Sequence, residues 1–481
     1  MKGREHQATV SGGRLRGLGG DVLTFRGVPY ARAERFGLPE QVPAWTGIRA
    51  ADAPGPAPLQ PVSDDSPVPG MAVADIGEDC LSAEIRTPSL SGSRPVLVWI
   101  PGGSFKIGGN ALATYDGSRL AADGDLVTVA LNYRLGICGF LAAEGVPSNL
   151  GLRDLLAALR WIRDEIAAFG GDPTRVIVMG ESAGAGAIAH LLAVPGIEAL
   201  VSGAIIASGA PGATLTAASA SLVGDAVLAA AGAESVDELR SLDTDELLAV
   251  QARADADLLA TVGMMPFHPW VDGDILPHAP LEAARLGLLA PVPIVIGTTS
   301  QEMELFRDAV PDLPDEFAAA WLAPKVAAAT GTVPTDEHVK AGLAAAGDLV
   351  EAIADTELHL PAVVLADAHA TAGHPVWRYR FDWQAPLIRA AHAVDLPFHF
   401  GTLDAEGWRA FVAGDDAADR LSTAMREAWA AFCHRGKPAC APIGDWPSHD
   451  TSDRPTVRLG REITVDHDPD AERRQAWLGK D

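Results

Sequence analysis

The residues best suited to chemistry in this chain lie at Gly180-Glu181-Ser182-Ala183-Gly184. Gly-x-Ser-x-Gly carries little information in a chain with 49 glycines, so its setting has to supply the meaning. Arg175-Val-Ile-Val-Met179 reads as a buried strand, and Ala183 to Leu192 as a helix of small residues. Ser182 therefore falls on a strand–turn–helix junction, the geometry that pushes a serine hydroxyl out of a sharp turn where it can attack. A side chain at 180 or 184 would collide with the neighbouring strand or helix, which accounts for glycine at both. The helix N-terminus behind Ser182 directs backbone N–H groups, beginning with that of Ala183, at a developing negative charge. Pro101-Gly102-Gly103-Ser104-Phe105 follows another apolar run, and glycines there let the backbone turn further N–H donors towards a reacting carbonyl oxygen. A serine nucleophile also needs a base and an acid to orient it. Thirteen histidines are present, and His392, His399, His268 and His278 all remain open as the base. Glu302, Asp308 and Asp312 remain open as the acid.

The elements that must hold these groups alternate. Pro95 to Ile100, Leu126 to Asn132, Arg175 to Met179, Ala204 to Ala207 and Pro293 to Ile296 are short apolar runs of the kind found in buried parallel strands. Leu155, Leu156, Leu159, Ile162, Ile166 and Phe169 recur at helical spacing, and Gly170-Gly171 closes that helix. The alternation predicts an α/β protein with a mostly parallel sheet flanked by helices. Ala51 to Gly70, rich in Pro, Asp and Ser, reads as a long surface loop. No internal repeat is present. Residues 211–260 and 317–370 are Ala-rich and helical in pattern, either ordinary packing helices or insertions that cap the strand ends. We expect one catalytic domain over residues 1–481, with helical cap or regulatory regions at 211–290 and 305–375.

Composition bounds the partners. The chain has 481 residues, 48% hydrophobic and 21% charged, a globular balance. With 37 basic and 63 acidic side chains the formal charge is −26, which argues against nucleic acid or an anionic membrane surface. Met1 to Val10 lacks the apolar stretch of a signal peptide, and no apolar run approaches the ~20 residues that span a bilayer. The four cysteines, Cys80, Cys138, Cys433 and Cys440, have no metal-ligand spacing and no disulfide framework. A Cys433–Cys440 bridge is the one pairing left open. Reduced, buried thiols in a cytoplasmic protein, monomeric or homodimeric, are the expectation.

Further motifs follow in order: Phe25-Arg-Gly-Val-Pro-Tyr-Ala31, Glu78-Asp-Cys-Leu81, Val98 to Phe105, Asn132-Tyr-Arg-Leu-Gly136, Ala168-Phe-Gly-Gly-Asp-Pro173, Asp272-Gly-Asp274, Gly297 to Glu302, Ala391-His392, Leu396-Pro397 to Phe400-Gly401, Trp429 to Phe432 and Trp446-Pro447. In this succession the chain resembles the type-B carboxylesterases, the group that includes cholinesterases and bacterial para-nitrobenzyl esterases, over nearly its whole length. The resemblance implies an α/β-hydrolase fold and hydrolysis of carboxylic esters through an acyl-enzyme, with no metal or organic cofactor. It implies Ser182 as nucleophile, His392 as base and Glu302 as acid, in the chain order this fold uses. It further implies the amides of Gly103, Ser104 and Ala183 as oxyanion donors. Glu181, Ser208 and Asp395 would form a polar network behind the Ser–His–Glu triad. Arg35 with Glu78, and Arg134 with Asp172, would be structural ion pairs.

The chain departs from the family where Pro101 replaces His or Tyr, Ser104 replaces Gly or Ala, and Met303 replaces the usual Gly after the acid. Cys80 stands where secreted relatives have a disulfide, without an upstream partner. Two other functions stay open: cleavage of an aryl carbamate or amide by the same machinery, and a cholinesterase-like domain that only binds partners. Retention of all three triad members speaks against the second.

Overall fold

Along Arg94–Ile100, Val96, Val98 and Ile100 enter one hydrophobic cluster while Leu97 and Trp99 enter another, the period-two signature of a strand with both faces covered. The same division holds in Gly203–Ala207, where Ala204 and Ile206 face one layer and Ile205 and Ala207 the other. The computed structural model describes residues 6–62, 68–73, 75–259, 261–263, 265–310, 313–412 and 414–479. Among these, ten strands form the main sheet: β1 (Leu23–Pro29), β2 (Ser82–Thr87), β3 (Arg94–Ile100), β4 (Val127–Leu131), β5 (Gly171–Glu181), β6 (Gly203–Ala207), β7 (Ile294–Thr299), β8 (Val376–Phe381), β9 (Pro455–Leu459) and β10 (Ile463–His467). Their spatial order is β10-β9-β8-β7-β6-β5-β3-β4-β2-β1. The strands from β4 to β9 in that order run parallel, and the outer strands pair antiparallel.

Helices α1 (Leu150–Glu165) and α2 (Ala183–Leu192) contribute Leu152, Leu155, Leu159, Ala185 and Ile188 to one layer. Helices α3 (Leu396–Phe400) and α4 (Asp416–Arg435) contribute Phe398, Leu421, Met425 and Trp429 to the other. The fold is that of the α/β-hydrolases, and the predicted strands and both predicted helices are present. Helix α1 begins before Leu155, and its last turn tightens to a 3₁₀ turn at Ile166–Phe169 before Gly170 ends it at φ 77°. The described parts of 211–260 and 317–370 are largely helical as expected, with helices at Ala217–Ala231, Val236–Ser241, Thr244–Leu258, Asp315–Thr330 and Leu360–Thr371 among others. Among the described residues no helix is long and apolar enough to cross a membrane. All four cysteines are free and buried.

Two expectations need correction. The segment 51–70 has no regular element in its described part, but it is not simply a surface loop. Ala57, Pro58, Leu59 and Gln60 are buried, and Ala57 bridges to Ile76. The second correction concerns Arg134, which does not pair with Asp172. Its guanidinium is bidentate on Asp154, at 2.7 and 2.8 Å. Asp172 instead accepts from Arg175, Thr174 and Ser93 around its own turn. Asp154 sits on the buried face of α1, where the chain leaving β4 delivers Arg134, so the two charges meet out of water and satisfy each other there. The Arg35–Glu78 pair forms as expected.

Candidate active site

The C-terminal ends of β3, β5, β6 and β7 converge. Pairing of Ile100 with Gly180, and of Glu181 with Ala207, sets the Gly102–Gly103 loop, Ser182 and Ser208 side by side. Ser182 lies between strand and helix at φ 55° and ψ −126°, a backbone state that costs on the order of 1–3 kcal/mol and must be held by its surroundings. The holding contacts are its amide donating to Ala207 O (3.0 Å) and its carbonyl accepting from Gly186 N (2.8 Å). The glycine requirement at the elbow is steric. A Cβ on Gly180 would lie 2.6 Å from the Gly184 carbonyl carbon, and one on Gly184 would lie 2.0 Å from Ile100 O.

Beyond the ends of β7 and β8 the two chains continue to zip together. Ser300 N donates to Phe381 O, Gln301 N to Ala390 O, and His392 N to Glu302 O at 3.2 Å. Backbone bonding thus carries Glu302 and His392 to the same spot, although 90 residues separate them. Glu302 Oε2 lies 2.6 Å from His392 Nδ1, and His392 Nε2 lies 2.8 Å from Ser182 Oγ. A carboxylate can only accept, so Nδ1 carries the proton and Nε2 presents a lone pair to the serine hydroxyl. The second carboxylate oxygen accepts from Ser208 Oγ and Thr299 N, both at 2.7 Å. Burial would raise the Glu302 carboxyl, but its bond to His392, the imidazole charge and the Ser208 bond hold it below the ordinary carboxylate range.

The rival candidates are accounted for. His399 is fully buried, its Nδ1 accepting from Trp429 and its Nε2 bound to Asp395 at 3.0 Å. His268 Nδ1 bonds Met265 O, and the partly exposed His278, just ahead of the helix Pro280–Arg285, lies near Glu282. Asp308 is exposed on the turn Glu304–Ala309, and Asp312 lies outside the described residues.

Gly103, Ser104 and Phe105 all have positive φ, at 115°, 57° and 57°. Lys106 N and Ile107 N both close on Gly103 O, and Gly136 N closes on Phe105 O. Among the described residues the amides of Gly103 and Ser104 donate to no protein acceptor, and Ala183, at the first position of α2, has none within its helix. Glu181 is buried with its Oε1 3.2 Å from His392 Nε2. Glu181 Oε1 and Asp395 Oδ1 have no hydrogen-bond partner among the described residues. Asp395 therefore braces His399 and acts on His392 and Glu181 only through its charge. Beside the larger effect of burial, that charge favours the protonated forms of His392 and Glu181. Met303 has φ −94°, a conformation open to any residue, and its side chain is buried with Leu322 and Val326, so nothing at that position demands glycine. Sequence reasoning missed Phe306, whose ring lies 6.2 Å from the His392 ring, and Gln60, which sits beneath the Gly102–Gly109 loop.

The sequence profile described as the Carboxylesterase family matches residues 4–477. The chain belongs to the carboxylesterase family. Among its relatives, para-nitrobenzyl esterase of Bacillus subtilis (strain 168) is 35% identical over 98% of each chain. Phenmedipham hydrolase of Pseudarthrobacter oxydans is 34% identical over 95% of each. A solved PNB esterase structure superposes with a TM-score of 0.89 at 33% identity, covering 99% of this chain and 100% of that one. The protein is a carboxylic ester hydrolase, and in this carboxylesterase a serine, a histidine and a glutamate meet beyond the strand ends.

Proposed function

We propose that this esterase works through Ser182 as nucleophile, His392 as general base and Glu302 as the acid that orients it. The observation that carries this reading is the unbroken chain of contacts at 2.8 and 2.6 Å. His392 Nε2 takes the Ser182 proton as Oγ attacks the ester carbonyl. Glu302 holds the Nδ1 proton and stabilises the imidazolium. The amides of Gly103, Ser104 and Ala183 take the oxyanion. His392 returns the proton to the leaving alcohol, then activates water to hydrolyse the acyl-enzyme.

The relative named phenmedipham hydrolase favours a second reading, an aryl carbamate or amide cleaved by the same serine. Turnover of a matched panel of esters, carbamates and amides separates the two. A domain that only binds partners would fail to react with a fluorophosphonate, whereas Ser182 should be labelled stoichiometrically.

Residues 211–290 and 305–375 act in this reading as caps within one catalytic unit. Burial of Met303, next to Glu302, against Leu322 and Val326 of the second region supports it. The protein works on small-molecule esters as a monomer or homodimer in the cytoplasm, a compartment that its four buried free thiols support. Light scattering on the purified chain tests the assembly state.

A further inference from the structure

The loop that carries Gly103 and Ser104 is clamped from below by a side chain outside the triad, Gln60. Its Nε2 donates to Gly108 O at 2.7 Å and to Pro58 O at 2.9 Å, and its Oε1 accepts from Gly108 N at 2.8 Å. Both backbone groups of Gly108 are therefore taken by one amide. Gln60 is 1% exposed, so these bonds do not compete with solvent. Gly108 in turn sits against the start of the loop: a Cβ on it would lie 2.7 Å from Gly102 O. Tyr133 Oη donates to Pro101 O at 3.2 Å and ties down the other end. Between the two ties lie Ser104 and Phe105, both non-glycine residues at φ 57°, a run that relaxes unless its surroundings hold it.

We infer that Gln60 is a positioning residue for the oxyanion donors, fixing the Gly102–Gly109 loop so that the Gly103 and Ser104 amides point at the reacting carbonyl. This rests on the reading that those amides take the oxyanion. A donor array that must be in place before charge develops gains most from such a clamp, and its loosening acts on the transition state more than on bound substrate.

The test compares wild type with Gln60→Met, which keeps the side-chain length and removes all three bonds. Two quantities are read: the kcat and KM of a para-nitrophenyl ester, and inhibition by an alkyl trifluoromethyl ketone, which adds to Ser182 and leaves an oxyanion. The inference expects kcat to fall about 10- to 100-fold, KM to stay within about threefold, and ketone affinity to weaken in proportion to kcat/KM. A folded Gln60→Met enzyme with unchanged kcat and ketone affinity overturns it, as does a loss confined to KM. If Gln60→Met does not fold, Gln60→Glu preserves shape and the acceptor for Gly108 N while losing at least one of the two donated bonds, and the same two readouts decide. A crystal structure of the wild-type ketone adduct separates the underlying reading. An oxyanion directed away from the Gly103 and Ser104 amides overturns that reading and this inference with it. An oxyanion on those amides, with Gln60→Met unaffected, overturns the inference alone.

Discussion

Glu181 Oε1 lies 3.2 Å from His392 Nε2, the same nitrogen that meets the Ser182 hydroxyl at 2.8 Å. The proposed base is thus flanked by two buried carboxyls, Glu302 on Nδ1 and Glu181 beside Nε2. Burial disfavours a charged His392, but Glu181, Glu302 and Asp395 together outweigh it and raise the imidazole above its ordinary range. Burial likewise pushes the Glu181 carboxyl up, with the His392 charge pulling it down. The two titrate as a pair.

A base must be neutral to act, so a raised His392 pKa moves the acid limb of kcat/KM above the pH expected of an ordinary histidine. Glu181→Gln removes a neighbouring anion, which disfavours the imidazolium and lowers its pKa. The acid limb should move down, and plateau kcat should fall because the imidazolium formed during attack loses a counter-charge. A pH–rate profile of the variant, unchanged in its midpoint, contradicts the coupling.

Ser182→Ala should abolish fluorophosphonate labelling with the fold intact. His392→Ala should lower kcat by at least ~10³-fold. His399→Gln breaks contacts to Asp395 and Trp429 in the core and should lower Tm, with a much smaller effect on kcat in the folded enzyme. The reverse ranking in kinetics would reassign the base.

Ser208→Ala leaves Glu302 Oε1 with Thr299 N as its remaining donor. A lost bond to a charged group is worth about 1.5–3 kcal/mol, so kcat should fall roughly 10- to 100-fold if the acid loosens its hold on the imidazole. Steady-state kinetics beside a Tm measurement check this, and Ser208→Thr, which keeps the hydroxyl, should recover part of the loss.

Proline has no N–H, so Pro101 donates nothing to an oxyanion. What it gives the loop is its carbonyl, bound by Tyr133 Oη, and any residue keeps that group. Pro101→His should therefore retain kcat within about threefold, against the ~10²-fold or greater cost of deleting a donor by Gly103→Pro.

Arg134 and Asp154 form a buried bidentate pair, with side chains 6% and 0% exposed. Arg134→Met leaves Asp154 as an unpaired buried carboxyl and should cost about 3–5 kcal/mol, read as a fall in Tm and in the denaturation midpoint. Asp172→Asn, at the position the sequence suggested for this partner, should cost much less, since Asp172 caps its own turn near the surface.

The elbow at Ser182 and the parallel sheet were legible because most of their causes are local. Period-two burial, a strand running into Gly180 to Gly184, and small residues in α2 are consequences of neighbours in the chain, and Gly180 is demanded by Gly184 itself, whereas the clash that demands Gly184 comes from Ile100 O on β3. The choice of His392 over His399 is not local. Both follow β8, and only the resemblance to a family ranked them before the zipping of Gln301 and Glu302 against Ala390 to His392 set one beside Ser182 and left the other against Trp429.

By itself the sequence determined the fold class, the strand–turn–helix junction at Ser182 and the glycine loop, since periodicity and turn chemistry act within a few residues. Tertiary structure alone decided the partners of long side chains. Arg134 reaches Asp154 rather than Asp172, and Gln60, in a segment whose Pro, Asp and Ser content reads as surface, turns inward beneath Gly108. A buried charge or amide takes whichever partner the packing delivers within hydrogen-bond distance, and no spacing along the chain encodes that distance.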